Sequence, residues 1–294
     1  MGIKVVIPGV VFTDTSLPKL LSDPILNAGS LMLVDLGRGY TAPLDVVPSS
    51  GALLGNLAWE QASALISGGT EDNLKATWLE TLTGHGTIGF LERTAKQGIH
   101  TVVSQVAADG VDRYGGIAIP DKVREYAFAN VPSRKIYWSI WGRTTRVATN
   151  GYDVVGHFAH VTTATSSYAM NFGGSHVQYP AAGGNLVGRR SVPGSAGSGN
   201  FYRNLAVQGW TGTKPGSYAS TQWIQWFGQQ GAYAAFQQNA SQSGIIYRIY
   251  IEDLTASGRT YAEADAADKS LYDVAFGAGG RFAGDTFTSA GTLP

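Results

Sequence analysis

The stretch Gly244 to Tyr272, GIIYRIYIEDLTASGRTYAEADAADKSLY, constrains the fold of this chain more than any other. From Ile245 to Glu252 the residues alternate as a strand requires. Ile245, Tyr247, Ile249 and Ile251 form a core face, and Ile246, Arg248, Tyr250 and Glu252 form the opposite one. That second face mixes a charged pair, an aromatic ring and one aliphatic residue, which suits a sheet surface that is partly wet or covered by another segment. Thr255 to Gly258 reads as a turn. Thr260 and Glu263 stand at capping-box spacing, about four helical turns follow, and Gly277 is placed to stop them. Glu263, Asp265 and Asp268 read as solvated acids that complement the helix dipole.

Upstream, short strands alternate with Gly-rich turns. Ser30 to Asp35, Ile136 to Trp141, Tyr168 to Phe172, Phe201 to Val207 and Trp223 to Phe227 each carry strand character. Gly173, the run at Ala181 and the loop Pro193 to Asn200 supply turn chemistry. Many such strands without a fixed repeat indicate a sandwich or barrel and not a solenoid. Two helices are expected, one over 56–67 with Asn56 as its cap and one that starts after Pro120 and Asp121 and ends near Ala129. Residues 1–50 hold five of the eleven prolines, which argues for an extended arm at the start.

Composition narrows the partners. Lys plus Arg equal Asp plus Glu at 21 each, so no global positive field exists to hold nucleic acid or an anionic membrane surface. Charged residues make up 14% of the chain, against about 25% in ordinary globular domains. A surface of Ser, Thr, Asn and Gln loses little charge solvation on burial and suits repeated subunit contacts. With no Cys, disulfides and thiolate chemistry are absent. The opening MGIKVVIPGVVF is broken by Pro8 and lacks a signal-peptide pattern, and no apolar run is long enough to span a membrane; synthesis in the cytoplasm without membrane insertion is expected.

The candidate chemical motifs fit a scaffold. Gly84, Gly86 and Gly89 match a dinucleotide-loop string without the βαβ context that such a loop needs. His157 and His160, three apart in a strand, point to opposite faces and do not converge on a metal. Calcium would need loop oxygens such as those of Asp109, Asp112 and Asp153, but no ligand motif singles them out, so neither a metal nor another cofactor is expected. Glu252 with Asp253, and Glu71 with Asp72, are adjacent pairs whose carboxylates diverge, unlike the facing pair of a glycosidase. Trp210, Tyr218, Trp223, Gln225 and Trp226 combine rings with amides, the chemistry of a neutral-sugar site, although the same spacing describes a strand buried on both faces. Val11, Phe12, Leu20, Leu21, Phe282 and Phe287 are large apolar residues in otherwise flexible ends, and are expected to make assembly contacts.

Two resemblances rest on these residues. Arg248, Ile249 and Tyr250, followed by Leu254, Ser257, Glu263, Leu271 and Tyr272, resemble the close of laminin-G-like and concanavalin-A-like jelly rolls. Over Trp59 to Pro294 the chain is similar to a family of tailed-phage virion proteins that carry a laminin-G-like domain. The resemblance lies in Ala58, Trp59 and Glu60; Glu92, Arg93 and Thr94; Trp141, Thr145 and Arg146; and Gly280, Arg281 and Phe282. It implies a mainly β jelly-roll sandwich with a few short helices: an N-terminal arm over 1–29, the sandwich over 30–276 with a helical segment near 56–130, and a tail over 277–294. It also implies a non-enzymatic structural part of a virion, a decoration or tail-fibre component, whose partners are other virion subunits and its own copies. A carbohydrate-binding adhesin that recognises a host polysaccharide is the alternative, and a jelly-roll glycoside hydrolase or lyase the second alternative.

Overall fold

The computed structural model describes residues 23–149, 156–161, 166–172, 185–192, 198–214, 221–222, 224–229 and 239–294. The protein is mainly β, with two seven-stranded sheets whose pairings are all antiparallel. In chain order the elements are β1 (Ser30–Asp35), β2 (Leu53–Leu54), α1 (Trp59–Leu65), β3 (Ala76–Glu80), β4 (Gly89–Arg93), β5 (Ile99–Val103) and β6 (Arg113–Ala118). There follow α2 (Asp121–Asn130), β7 (Ile136–Arg146), β8 (Gly156–Val161), β9 (Ser166–Phe172), β10 (Asn185–Val192), β11 (Gly199–Gln208) and β12 (Thr221–Gln222). The last are β13 (Ile224–Gln229), β14 (Ser243–Asp253), α3 (Leu254–Ser257) and α4 (Tyr261–Phe276).

The first sheet runs β10-β11-β7-β14-β5-β4, and the second runs β12-β8-β13-β6-β3-β2 with β9 on β8. Strand β14 is central. β7 lines one side of it, while the other side is shared between β5, on residues 244–246, and β1, on residues 248–252. The first described strand and the last strand are thus neighbours. Trp78, Ile117, Phe172 and Phe227 from the second sheet pack against Ile99, Trp138, Ile140, Leu205 and Ile249 from the first. Trp138 meets Phe172 edge-on at 4.6 Å across this core.

Strand β14 departs from simple alternation. Its register against β7 shifts between Ile246 and Arg248, which leaves Tyr247 as an extra residue and turns the strand over at that point. Ile246, Ile249 and Ile251 therefore face the core between the sheets, whereas Ile245 and Tyr247 join Tyr250 on the outer face. The core face expected from spacing is right at Ile249 and Ile251 and reversed at Ile245 and Tyr247. All eleven residues of β14 are buried, because α4, residues 23–29 and the C-terminal segment cover the outer face.

The segment 56–130 is helical only at its ends; β3, β4, β5 and β6 lie between. These strands are five or six residues long, and β5 is buried throughout, so they carry no clean period-two signal. Helix α1 has no side-chain cap. Asn56 stands just before the cap position: its Oδ1 accepts from Ala58 N at 2.9 Å and from Leu33 N of β1 at 2.8 Å, and its Nδ2 donates to Leu31 O at 3.1 Å.

At α4 the expected capping box is present. Thr260 Oγ1 accepts from Glu263 N at 3.3 Å, and Glu263 Oε2 accepts from Thr260 N at 2.8 Å. Thr260→Ala is expected to cost about 1 kcal/mol in a urea titration. Gly277 ends the helix in extended backbone; a Cβ there would stand 2.6 Å from Asp273 O, so close approach and not a left-handed turn demands glycine.

Candidate functional site

The outer face of the first sheet holds a buried polar seam. Strand β7 contributes Tyr137, Ser139 and Trp141, β11 contributes Tyr202 and Asn204, and β14 contributes Arg248, Tyr250 and Glu252. From above, α4 lowers Asp265 and Asp268 onto these groups. Asp268 is fully buried. Its Oδ2 accepts from Tyr137 Oη at 3.0 Å and from Ser139 Oγ, and its Oδ1 accepts from Trp141 Nε1 at 3.0 Å. Burial pushes the Asp268 carboxyl above its ordinary value, against the opposing pull of Arg248 and the three donors.

A chain of hydroxyls links Asp268 to Asp265. Tyr137 Oη lies 2.9 Å from Tyr202 Oη, which donates to Asp265 Oδ1 at 3.0 Å. Asn204 Nδ2 donates to the same oxygen at 2.7 Å, and Arg190 Nε closes the outer side at 2.7 Å from Oδ2. Burial drives both tyrosine hydroxyls far above their ordinary value, so they remain protonated donors. Outside this seal, Arg190, Tyr261, Lys269 and Asp273 line an open groove of about 620 Å³.

Next along the seam, Arg248 donates to Asp23 through both terminal nitrogens, at 2.7 and 3.0 Å. It lies 3.5 Å from Asp35 and stacks over Trp141 at 4.4 Å. Burial pushes the Asp23 carboxyl up, but the hydrogen bonds and charge of Arg248 outweigh it and hold the group below its ordinary value. Asp35 also receives Arg281 from the C-terminal segment. Tyr250 Oη donates to Glu252 Oε2 at 2.8 Å and meets Ser30 Oγ at 2.8 Å. Chemically the arrangement is a clamp. Paired, hydrogen-bonded carboxylates join residues 23–29, α4 and the C-terminal segment to one sheet.

The structure disperses the candidate residues. Trp210 is fully buried and packs on Phe128 at 5.2 Å, so its ring belongs to the core and offers no face to a sugar. Gln225 and Trp226 lie on β13 opposite Ile117 and Gly116. Their side chains, like Tyr218, Trp223, Val11, Phe12, Leu20 and Leu21, lie outside the described residues.

Phe282 and Phe287 meet their own chain. Phe282 is buried on Tyr247 at 4.6 Å, and Phe287 meets His100 edge-on at 5.0 Å. The tail is thereby folded back along the first sheet, and these two rings pack within the subunit.

Asp265 and Asp268, expected to be solvated, are the buried acids of α4. Their positions contain a signal: Asp268 precedes Tyr272 by four residues and Ala275 by seven, on the same buried stripe. The loop of Gly84, Gly86 and Gly89 runs into strand β4, not a helix, and borders a groove of about 410 Å³. His157 and His160 lie on β8, and their side chains lie outside the described residues, as does Asp153. Asp109 pairs with Arg113 at 2.7 Å. Among the described residues no group of three or more His, Cys, Asp or Glu is placed to hold a metal ion, and no helix is long and apolar enough to cross a membrane.

No family model matches this chain, and neither a curated protein nor a solved structure matches it.

Proposed function

We propose that this chain is a non-enzymatic structural component of a bacteriophage particle, a jelly-roll sandwich of the laminin-G or concanavalin-A kind that works through subunit contacts. One observation carries the reading. Four of the residues behind the virion-family resemblance, Glu92, Arg146, Arg281 and Phe282, attach the C-terminal segment to the first sheet. Glu92 accepts from Thr288 N at 2.7 Å, and Arg146 Nη1 donates to Leu293 O at 2.7 Å. Arg281 pairs with Asp35, and Phe282 packs on Tyr247.

Contacts that fasten one segment onto a sheet fit a scaffold. Catalytic motifs would instead converge on an open cleft. The adjacency of β1 and β14 and the low charge content support the same reading. Particles of the encoding phage, purified on a density gradient and quantified by mass spectrometry, are expected to contain this chain in many copies. Particles that lack it, from a lysate that contains it, would end the proposal.

A further inference from the structure

We propose that residues 285–294 form an acid-sensitive strap over the end of the first sheet, closed while His100 is neutral and released when His100 takes up a proton. His100 is fully buried on β5, between Glu92 of β4 and Thr145 of β7. Its Nδ1 lies 2.8 Å from Glu92 Oε1, and its Nε2 lies 2.8 Å from Thr145 Oγ1. An ionised carboxylate only accepts, so Nδ1 carries the proton and Nε2 accepts from the threonine. The neutral ring is thus satisfied at both nitrogens.

The strap uses the same groups. Glu92 accepts from Thr288 N and Thr288 Oγ1, each at 2.7 Å. Phe287 caps the imidazole edge-on at 5.0 Å, with Arg143 over its ring at 4.9 Å. Asp285 accepts from Lys96 N at 2.8 Å and Tyr247 Oη at 2.6 Å, and Thr286 O accepts from Ala95 N at 3.0 Å. Pro294 O accepts from Gln105 N at 2.7 Å. Every element packed on His100 is therefore joined to the strap or belongs to it.

Protonation would place a cation beneath Phe287 and give Nε2 a hydrogen that faces the Thr145 hydroxyl. Burial disfavours that cation. Glu92 and Asp285 favour it and Arg143 opposes it, and the balance keeps His100 below its ordinary value. A group whose pKa is lower in the closed form than in the open one binds protons on opening. Closure is then fully favoured above about pH 6.5 and weakens as the pH falls below that value. The opening constant therefore rises as the pH falls from 8 to 5, with a ceiling of about thirtyfold for an open form that titrates near 6.5. The pKa of Glu92 is held below its ordinary 4.5, so Glu92 stays ionised at pH 5.

Hydrogen exchange of the full chain, with labelling times scaled for intrinsic rate, tests the strap. Peptides covering 283–294 and 92–105 are expected to lose protection from pH 8 to pH 5, by no more than about thirtyfold, while α4 and β14 keep theirs. His100→Gln, which offers Glu92 a donor and Thr145 an acceptor but does not titrate, should hold protection level. Phe287→Ala leaves β5 intact and uncovers the ring, so its strap should be loose at pH 8 and lose most of the pH ratio. Equal protection of the wild type at both pH values, or an unchanged ratio in either variant, would overturn the proposal.

Discussion

Replacing Arg248 with alanine is expected to remove about 3–5 kcal/mol of stability in a urea titration at neutral pH, the range for a buried ion pair broken from one side. The substitution leaves Asp23 and Asp35 buried without the cation that sits 2.7 and 3.5 Å from them, and it strips the charge from the face of Trp141. The pH dependence identifies the cause. The pKa of Asp23 is held down in the folded protein, so its contribution is present above the unfolded value near 3.8 and is lost as the pH falls through the folded value. The deficit of Arg248→Ala should therefore shrink below about pH 4, where the contribution of the Asp23 pair to the wild type is lost. A loss under about 1 kcal/mol at neutral pH would mean that water reaches the pair.

Asp268→Ala is the second large effect, with an expected loss of about 3–4 kcal/mol by the same titration. It leaves the Ser139 hydroxyl and the Trp141 indole N–H buried and without the acceptor that holds them, whereas Tyr137 keeps Tyr202 and Asn204. Asp268→Asn separates charge from shape. Burial raises the pKa of Asp268 in the folded state, so its stabilising form is the protonated one. That contribution is complete below the unfolded value near 3.8 and declines as the pH rises through the folded value. Asn does not titrate; its stability relative to wild type should improve as the pH rises across that window. A difference between the two proteins that stays constant with pH would contradict a buried, ionisable Asp268.

Local signals in the sequence were enough for local structure. The Thr260 capping box, α2 after Pro120, and strand β1 all follow from side-chain spacing or strand pattern. The bulge at Tyr247 did not, because one inserted residue leaves no mark on composition, yet it exchanges Ile246 for Ile245 and Tyr247 on the core face. Strands β3 to β6 were hidden for another reason: short strands, one of them buried on both faces, imitate the apolar content of a helix.

The seam lay deepest. Asp268 takes its donors from Tyr137, Ser139 and Trp141, more than a hundred residues earlier in the chain, so its burial is a property of tertiary contact. Only its place on the apolar stripe of α4 hinted at it. Phe282 and Phe287 were recognised as residues that must dock, but spacing does not distinguish a neighbouring subunit from the chain's own sheet.

The polar seam welds α4 to the first sheet as part of one cooperative structure. Native-state hydrogen exchange at neutral pH reads this directly. The amides of α4 from Asp265 to Phe276 should exchange in the same slowest class as those of β14, opening only with global unfolding. Exchange of α4 orders of magnitude faster than β14, with β14 still protected, would show a helix that merely rests on the sheet and would contradict the account.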